Sequence, residues 1–516
     1  MLKEASSQER LVFFLTVFIA GLCSLIYELL ISTTSSYFLG DSVTQFSLTI
    51  GVYMAAMGLG SYLSQFLSDD LLGSFVKIEV LLGLVGGASV PILYFVFGKV
   101  SVFEYQLIML ALTAVIGTLT GFEIPILVRI LKKHYPLKSN LAYVLSLDYI
   151  GALLATLLFP FLLLPFVGIF RTSLVFGLIN VLLGLFIYRF FTQELSVKRK
   201  NGLQLAALAV IVLFVLMGFF AGKLLKHWED DFYTNRLVYS KQTPYQHLVL
   251  TQNKDDLHLY INRIIQFSSL DEYRYHEALG LLPLNIAPKK KKVLILGGGE
   301  GLLAREVLKF EEVESVKIVD LDGAVFDLAK ENTHIRALNK GSVMNAKVEL
   351  ITADAMQFLQ NTDETFDVIL SDLPDPSNES LSRLYSTIFY KLIQSKLSEN
   401  GIFATQATGP FHTRKAFWCI YETLKESGFT HVFPYHAYVP SFGDWGFIIA
   451  SHEELQPNIF ETKVPTRYLD STQVQKMFYF EKDIQNLQTL AVNRVDDARL
   501  MHYFLEEWRK WQKKEN

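Results

Sequence analysis

The sequence predicts a two-part chain: a multi-pass α-helical membrane domain over residues 1–225, then a doubly wound α/β domain that opens with a small β unit. Three observations lead there. The chain is 51% hydrophobic, and most of the excess lies before residue 226. Seven stretches in that region are apolar over the roughly 20 residues an α-helix needs to cross a bilayer. Beyond them, apolar strands alternate with helical patterns, and four successive strands deliver acids at their carboxyl ends.

The seven stretches are 10–32, 42–67, 73–98, 101–131, 141–168, 170–192 and 203–225. The first lacks a small-residue cleavage site and is followed by further spans, so it is not read as a signal peptide. Gly51, Gly58 and Gly60 in the second would let helices approach closely. Glu28, Glu79, Glu123 and Asp148 fall in or near the spans, where a charge is costly and faces a bundle interior or a cavity. They read either as helix-to-helix hydrogen-bonding groups or as a cation site.

Lys3, Arg10, Lys77, Arg129, Lys132, Lys133, Lys138, Arg189, Lys198, Arg199 and Lys200 collect on the amino-terminal side of the spans, against Lys99 and Arg171 in the first three loops of the other. The positive-inside rule then puts the amino terminus in the cytoplasm and, with an odd span count, the carboxy-terminal domain outside. The expectation is nevertheless a cell-membrane protein whose carboxy-terminal domain faces the cytoplasm, since one miscounted span or a re-entrant segment in the Pro-containing 141–192 stretch reverses the charge-based orientation.

Residues 226–285 make the small β unit: "HLVLTQNKDDLHLYINRIIQ" reads as two strands about a polar turn, and 271–285 as a helix. Residues 286–455 make the core. Strand Val293–Leu296 runs into Gly297-Gly298-Gly299-Glu300-Gly301 and a helix from about Leu302 to Phe310. Glycines there let backbone pass close to a ligand at a helix amino terminus. Asp320 follows Gly301 by 19 residues, where such folds place a carboxylate on ribose hydroxyls. Asp354 ends the next strand and Asp372 the one after, with Asp375 close behind. The tail 456–516 reads as helical from 467 onward, with Leu500, Tyr503, Phe504, Trp508 and Trp511 at helical spacing for docking on the domain.

An acidic rim suits a cation. Glu300 at the glycine turn would repel the carboxylate of S-adenosylmethionine and attract the ammonium of its decarboxylated form. Two cysteines, Cys23 and Cys419, in different halves make neither a disulfide framework nor a cysteine metal site. No basic stripe marks a nucleic-acid surface.

At this point the chain from about Tyr239 to Ser451 resembles the polyamine aminopropyltransferases, spermidine synthase in particular. The carriers are "YSKQTPYQHLVL", "IIQFSSLDEYRYHEAL", "LGGGEGLLAREVLK", "SDLPDP" and "WGFIIAS". The seven spans resemble the amino-terminal half of the membrane-fused members. The resemblance implies a class I methyltransferase-like Rossmann core that moves an aminopropyl group from decarboxylated S-adenosylmethionine, a co-substrate rather than a cofactor, to an amine, putrescine first. No metal or other cofactor is expected. It implies that Gln246, Gly297, Gly299, Asp320, Asp354 and Ala355 hold the nucleoside, and Glu300 and Asp372 the aminopropyl end. His276 and Asp375 would help hold the acceptor amine, Asp372 would accept its proton, and Tyr385 would act as a gate. Partners expected are these small molecules, a lipid bilayer and a second copy in a homodimer, with no nucleic acid.

The sequence departs from the family pattern at Glu300 (usually Asp), Asp320 (usually Glu), Glu379 (usually Pro) and in the short acceptor loop "VPSFGDWGF", where Phe442 stands near a usual Tyr. Two other readings stay open: an S-adenosylmethionine-dependent methyltransferase on the same fold, and a polyamine-binding sensor or transporter without turnover.

Overall fold

The structure is a computed structural model. It describes residues 7–39, 42–67, 70–97, 99–132, 136–191, 200–230, 233, 235–243, 245–461, 464–486 and 490–512. Lys3, Lys133, Lys198 and Arg199 of the charge count lie outside the described residues. The chain divides into two compact units between residues 234 and 235.

Among its described residues the first unit contains seven helices long and apolar enough to cross a membrane. They are α1 Ser7–Leu39, α2 Ser42–Leu63, α3 Leu71–Val96, α4 Val102–Leu131, α5 Leu137–Leu158, α6 Ile169–Phe190 and α7 Lys200–Phe219. The stretch after α5 continues as a π-type turn over Phe159–Val167, where Pro160 and Pro165 stand, and stops at Gly168 with φ +80°. Ser101 and Glu104 form a reciprocal capping box that fixes the start of α4. Of the three glycines read as helix contacts, only Gly60 is one: a Cβ there would lie 2.0 Å from the Thr118 carbonyl oxygen. Gly51 and Gly58 meet nothing within 4 Å, because they sit on the exposed face of α2.

The second unit opens with an antiparallel four-stranded sheet, β1 Arg236–Gln242, β2 His247–Asn253, β3 Asp256–Ile261 and β4 Ile264–Ser268, in sequential order. The polar turn read from the sequence joins β2 to β3, with Asn253 paired to Asp256. Helical structure over Glu272–Ile286 follows, π-type at Glu277–Leu281.

The main sheet has seven strands: β5 Lys292–Gly297, β6 Ser315–Asp320, β7 Val348–Thr352, β8 Phe366–Asp372, β9 Leu397–Gln406, β10 His431–Val439 and β11 Gly443–Ser451. Their order is β10-β11-β9-β8-β5-β6-β7. β5 to β9 are mutually parallel, and the β10–β11 hairpin adds antiparallel strands to β9. Parallel strands covered on both faces read as continuous apolar runs, as "VLIL" and "VILS" do. Strand order reverses between β5 and β8, so the ligand crevice of this architecture falls at their carboxyl ends.

Among the described residues the tail from 467 onward is helical only at Ser471–Met477 and Arg499–Gln512, against the helical reading of the whole tail. Between those helices the backbone serves the helix Arg414–Glu426 instead. The Ile484 carbonyl accepts from Trp418 Nε1 at 2.9 Å, the Gln485 carbonyl from Arg414 Nε at 2.8 Å, and the Asn493 N–H donates to Thr423 at 3.0 Å. Leu500 and Phe504 bury against the domain, so the last helix docks there.

Candidate active site

The turn after β5 sets the geometry. Gly297 pairs in register with Asp372, so the ends of β5 and β8 meet directly. Gly297, Gly298 and Gly301 have φ of +81°, +62° and +84°, which side chains avoid. A Cβ on Gly297 would also come within 2.0 Å of the Asp372 carbonyl oxygen. The turn is braced from outside the sheet: Asn339 donates to the Glu300 carbonyl at 2.8 Å and Ser342 to that of Gly301 at 2.6 Å.

Three side chains converge there. One ligand atom from each of His276, Glu300 and Asp372 lies within 4.8 Å of the others. His276 Nε2 is 3.7 Å from Glu300 Oε1, while Nδ1 meets the Glu272 carboxylate at 2.8 Å. Glu272 is in turn clamped by Arg305 through two bonds of 2.9 and 2.8 Å. Burial would lower the His276 pKa, but the hydrogen bonds to Glu272 and Glu300 outweigh it and lift the imidazolium to about 10. For Glu272, burial raises the pKa, and His276 and Arg305 more than reverse this, to about 2.

Asp372 behaves oppositely. Burial first, then the charge of Glu300, push it up to about 6, against His276 and the Tyr275 hydroxyl, which donates to Oδ1 at 2.6 Å. Burial lifts Asp375 to about 7, with the Gln406 amide pulling the other way, and its buried Oδ1 has no hydrogen-bond partner among the described residues. Two carboxyls with pKa values raised toward neutrality can each bind a cation or take up a proton.

Asp320 lies on the other side of the turn. Gly299 N–H donates to Oδ2 at 3.2 Å and Asp322 N–H to Oδ1 at 3.0 Å. Burial leads its rise to about 7. Gln246 is brought toward this edge by a tight turn: Thr243 accepts from the Gln246 N–H at 3.0 Å and donates to Asp322 at 2.7 Å.

The spermine/spermidine synthase domain model matches residues 272–463. A polyamine aminopropyltransferase of Leptospira interrogans serogroup Icterohaemorrhagiae serovar copenhageni (strain Fiocruz L1-130) is 42% identical over 499 residues, 96% of this chain and 98% of that protein. That of Oceanobacillus iheyensis is 37% identical over 98% of this chain and 99% of its own. The chain belongs to the polyamine aminopropyltransferase family. Among solved structures, a spermidine synthase in complex with the transition state analogue AdoDATO is 26% identical, covering 48% of this chain and 86% of that one, with a TM-score of 0.45.

The curated relatives align through both units, so the helical unit is shared with them, and aminopropyl transfer is the enzyme class of this protein. One expectation from the sequence, Tyr385 as a gate, does not match the structure. Tyr385 is fully buried, and its hydroxyl donates to the Leu373 and Pro374 carbonyls at 3.1 and 3.0 Å. It braces the Asp372–Asp375 loop from beneath, a position that does not suit a gate. Asp354 caps the helix Ala355–Asn361 through the Gln357 N–H at 3.0 Å and pairs with Arg383. Ala355 is buried at the first position of that helix. Phe442 packs edge-on against Tyr275 at 6.1 Å and tilted against Trp445 at 5.0 Å.

The reading from sequence missed Tyr275, Glu272 and Arg305. A signal for the first two existed. They flank His276 at one residue and one helical turn in "DEYRYHEAL", so the segment offers three polar groups to one neighbourhood. Arg305 gave no such signal, since its contact with Glu272 spans 33 residues.

Proposed function

We propose that this aminopropyltransferase moves the aminopropyl group of decarboxylated S-adenosylmethionine to putrescine, giving spermidine and 5'-methylthioadenosine. The convergence of Glu300, Asp372 and charged His276 on the switch point of the sheet carries the reading. Glu300 and Asp372 hold the aminopropyl ammonium. Gln246, Gly297, Gly299, Asp320, Asp354 and Ala355 hold the nucleoside, Asp320 as acceptor for ribose hydroxyls. Asp375 and His276 border the acceptor amine.

The acceptor nitrogen attacks the aminopropyl carbon bonded to the sulfonium. The carbon–sulfur bond breaks, its electron pair returns to sulfur, and the nitrogen's proton passes to Asp372. An amine between carboxylates stays protonated, so Asp372 takes the proton as attack proceeds. A base in this role contributes typically about 10²–10⁴-fold. The sulfonium is already a good leaving group, so positioning is the larger demand on the protein, worth about 7–11 kcal/mol in favourable systems.

The unit lies at the cell membrane through its seven helices, with the catalytic unit on the cytoplasmic side, where its nucleoside is made. A carboxy-terminal reporter fusion tests that side. For the chemistry, Asp372→Asn is expected to remove nearly all turnover while nucleoside binding stays measurable. Full activity in that variant, or methyl transfer from intact S-adenosylmethionine by the wild type, overturns the reading.

A further inference from the structure

The helical unit holds a second cluster of the same chemical groups. Glu79 on α3 and Glu123 on α4 are 0% and 3% exposed. Their carboxyls interact directly. The pair hydrogen-bonds to itself, which requires a proton held between the two carboxyls, and beyond that pair neither oxygen of Glu79, nor Oε1 of Glu123, has a hydrogen-bond partner among the described residues. No lysine or arginine among the described residues pairs with either.

Two further buried polar groups complete the cluster without partners of their own. Tyr27 on α1 lies within electrostatic reach of both acids, and its hydroxyl is unpartnered among the described residues. Asn180 on α6, with both amide atoms unpartnered, stands one turn before Gly184, whose Cβ position is 3.1 Å from Glu79 Cβ. Beside the cluster a satisfied network contrasts with it: Tyr53 bonds Ser24 at 3.0 Å and Thr120 at 3.1 Å. Native interiors leave few buried polar groups unpaired, and each calls for a ligand or a proton. Buried acids in an apolar bundle carry the same demand more strongly.

We propose that Glu79 and Glu123, with Tyr27 and Asn180, form a second amine site that takes the primary ammonium group of a di- or polyamine in exchange for protons. The set of groups repeats that of the catalytic unit, where a tyrosine hydroxyl and two carboxyls, Tyr275, Asp372 and Glu300, stand together. An ammonium offers three N–H donors to these acceptors, and its methylene chain suits the apolar core of the bundle, where Val76 and Val80 stand with Glu79 about Gly184. That the catalytic unit also takes putrescine rests on the proposed function; the second site stands without it.

The test uses the full chain in lipid nanodiscs. Radiolabelled putrescine in equilibrium dialysis is expected to fill two sites per chain. Glu79→Gln and Glu123→Gln are expected to weaken one of them at least about tenfold, the scale for losing a charge-assisted hydrogen bond, with turnover unchanged. Tyr27→Phe is expected to weaken the same site less. A measurement on the wild type guards against misfolded variants: a hydrophobic carbodiimide labels Glu79 or Glu123, mapped by mass spectrometry, and putrescine protects where sodium does not. A single amine site, lost only in Asp372→Asn, overturns the proposal, as does labelling that putrescine leaves unchanged or that sodium blocks equally. Flotation of the protein with vesicles tests the membrane reading separately.

Discussion

Tyr275 donates its hydroxyl hydrogen to Asp372 Oδ1 at 2.6 Å, across 97 residues of sequence. The bond stabilises the carboxylate and opposes burial and the charge of Glu300, which still leave its pKa raised to about 6. Tyr275→Phe removes it while keeping the ring against Phe447. Turnover is expected to fall about 10- to 100-fold, the worth of a hydrogen bond to a charged group. Without the donor the carboxylate is harder to form, so the acid limb of the pH–kcat profile moves to higher pH. A limb that stays in place would show Tyr275 to be packing alone.

Arg305 and Glu272 are 10% and 2% exposed at their side chains, a buried ion pair that fixes His276 from behind. Arg305→Met leaves Glu272 buried with only His276 for company. Breaking such a pair from one side costs about 3–5 kcal/mol. Urea denaturation of the full chain, followed by tryptophan fluorescence, reads this directly. Since Arg305 touches no expected substrate atom, kcat in the surviving fold is expected to drop less than in Tyr275→Phe.

His276, Glu300 and Asp372 have ligand atoms close enough to bind a divalent ion. With its pKa at about 10, His276 is an imidazolium at neutral pH and has no lone pair to give a metal. An ammonium needs only the two carboxylates. EDTA is therefore expected to leave turnover unchanged at pH 7.5. Activity lost to EDTA and regained with one metal would replace the amine reading of this cluster.

Much of this site was legible in the sequence because the chemistry follows strand ends. Glu300, Asp320, Asp354 and Asp372 each stand at or just past the carboxyl end of a parallel strand, and the period of the apolar runs marks those ends. The helical unit was legible for a similar reason, since spans are set by length and hydropathy. What escaped was side-chain direction. Tyr385 looks like its loop-borne neighbours in a linear reading, yet it points inward to the Leu373 and Pro374 carbonyls. The tail looked helical because its residues favour helix, while Trp418, Arg414 and Thr423 draw its backbone into bonds with another element. Gly51 and Gly58 share a helix with Gly60 and differ only in the face they occupy.

Asp375 is expected to trade stability for binding. Its pKa of about 7 lies well above the ordinary carboxylate value, so the ligand-free fold favours the protonated acid. This contribution is present at low pH and is lost as pH rises through about 7. Asp375→Asn keeps the shape and removes the buried charge. At pH 8 the ligand-free variant is expected to melt a few degrees above wild type, while its KM for putrescine rises at least tenfold, with nucleoside binding unchanged. A lower melting temperature would mean that Asp375 is ionised and paired in the free protein.

His276 gives the clearest dependence of stability on pH. Its folded pKa is raised from about 6.5 to about 10, because Glu272 and Glu300 favour the imidazolium more than burial opposes it. A group raised in this way stabilises fully below pH 6.5, and that stability is lost progressively as pH rises toward 10. Between those limits the unfolded state has released a proton that the folded state retains. One proton corresponds to about 1.4 kcal/mol per pH unit. Glu272 works at the other end: its pKa of about 2 gives stability that is present above pH 4.5 and fails in strong acid. Thermal melts of the ligand-free protein from pH 7 to 9 are therefore expected to fall steadily. In His276→Gln the overall melting temperature is lower, but the slope over the same range should be flatter by one proton's worth. An unchanged slope would assign the pH dependence to other groups and leave His276 neutral in the fold.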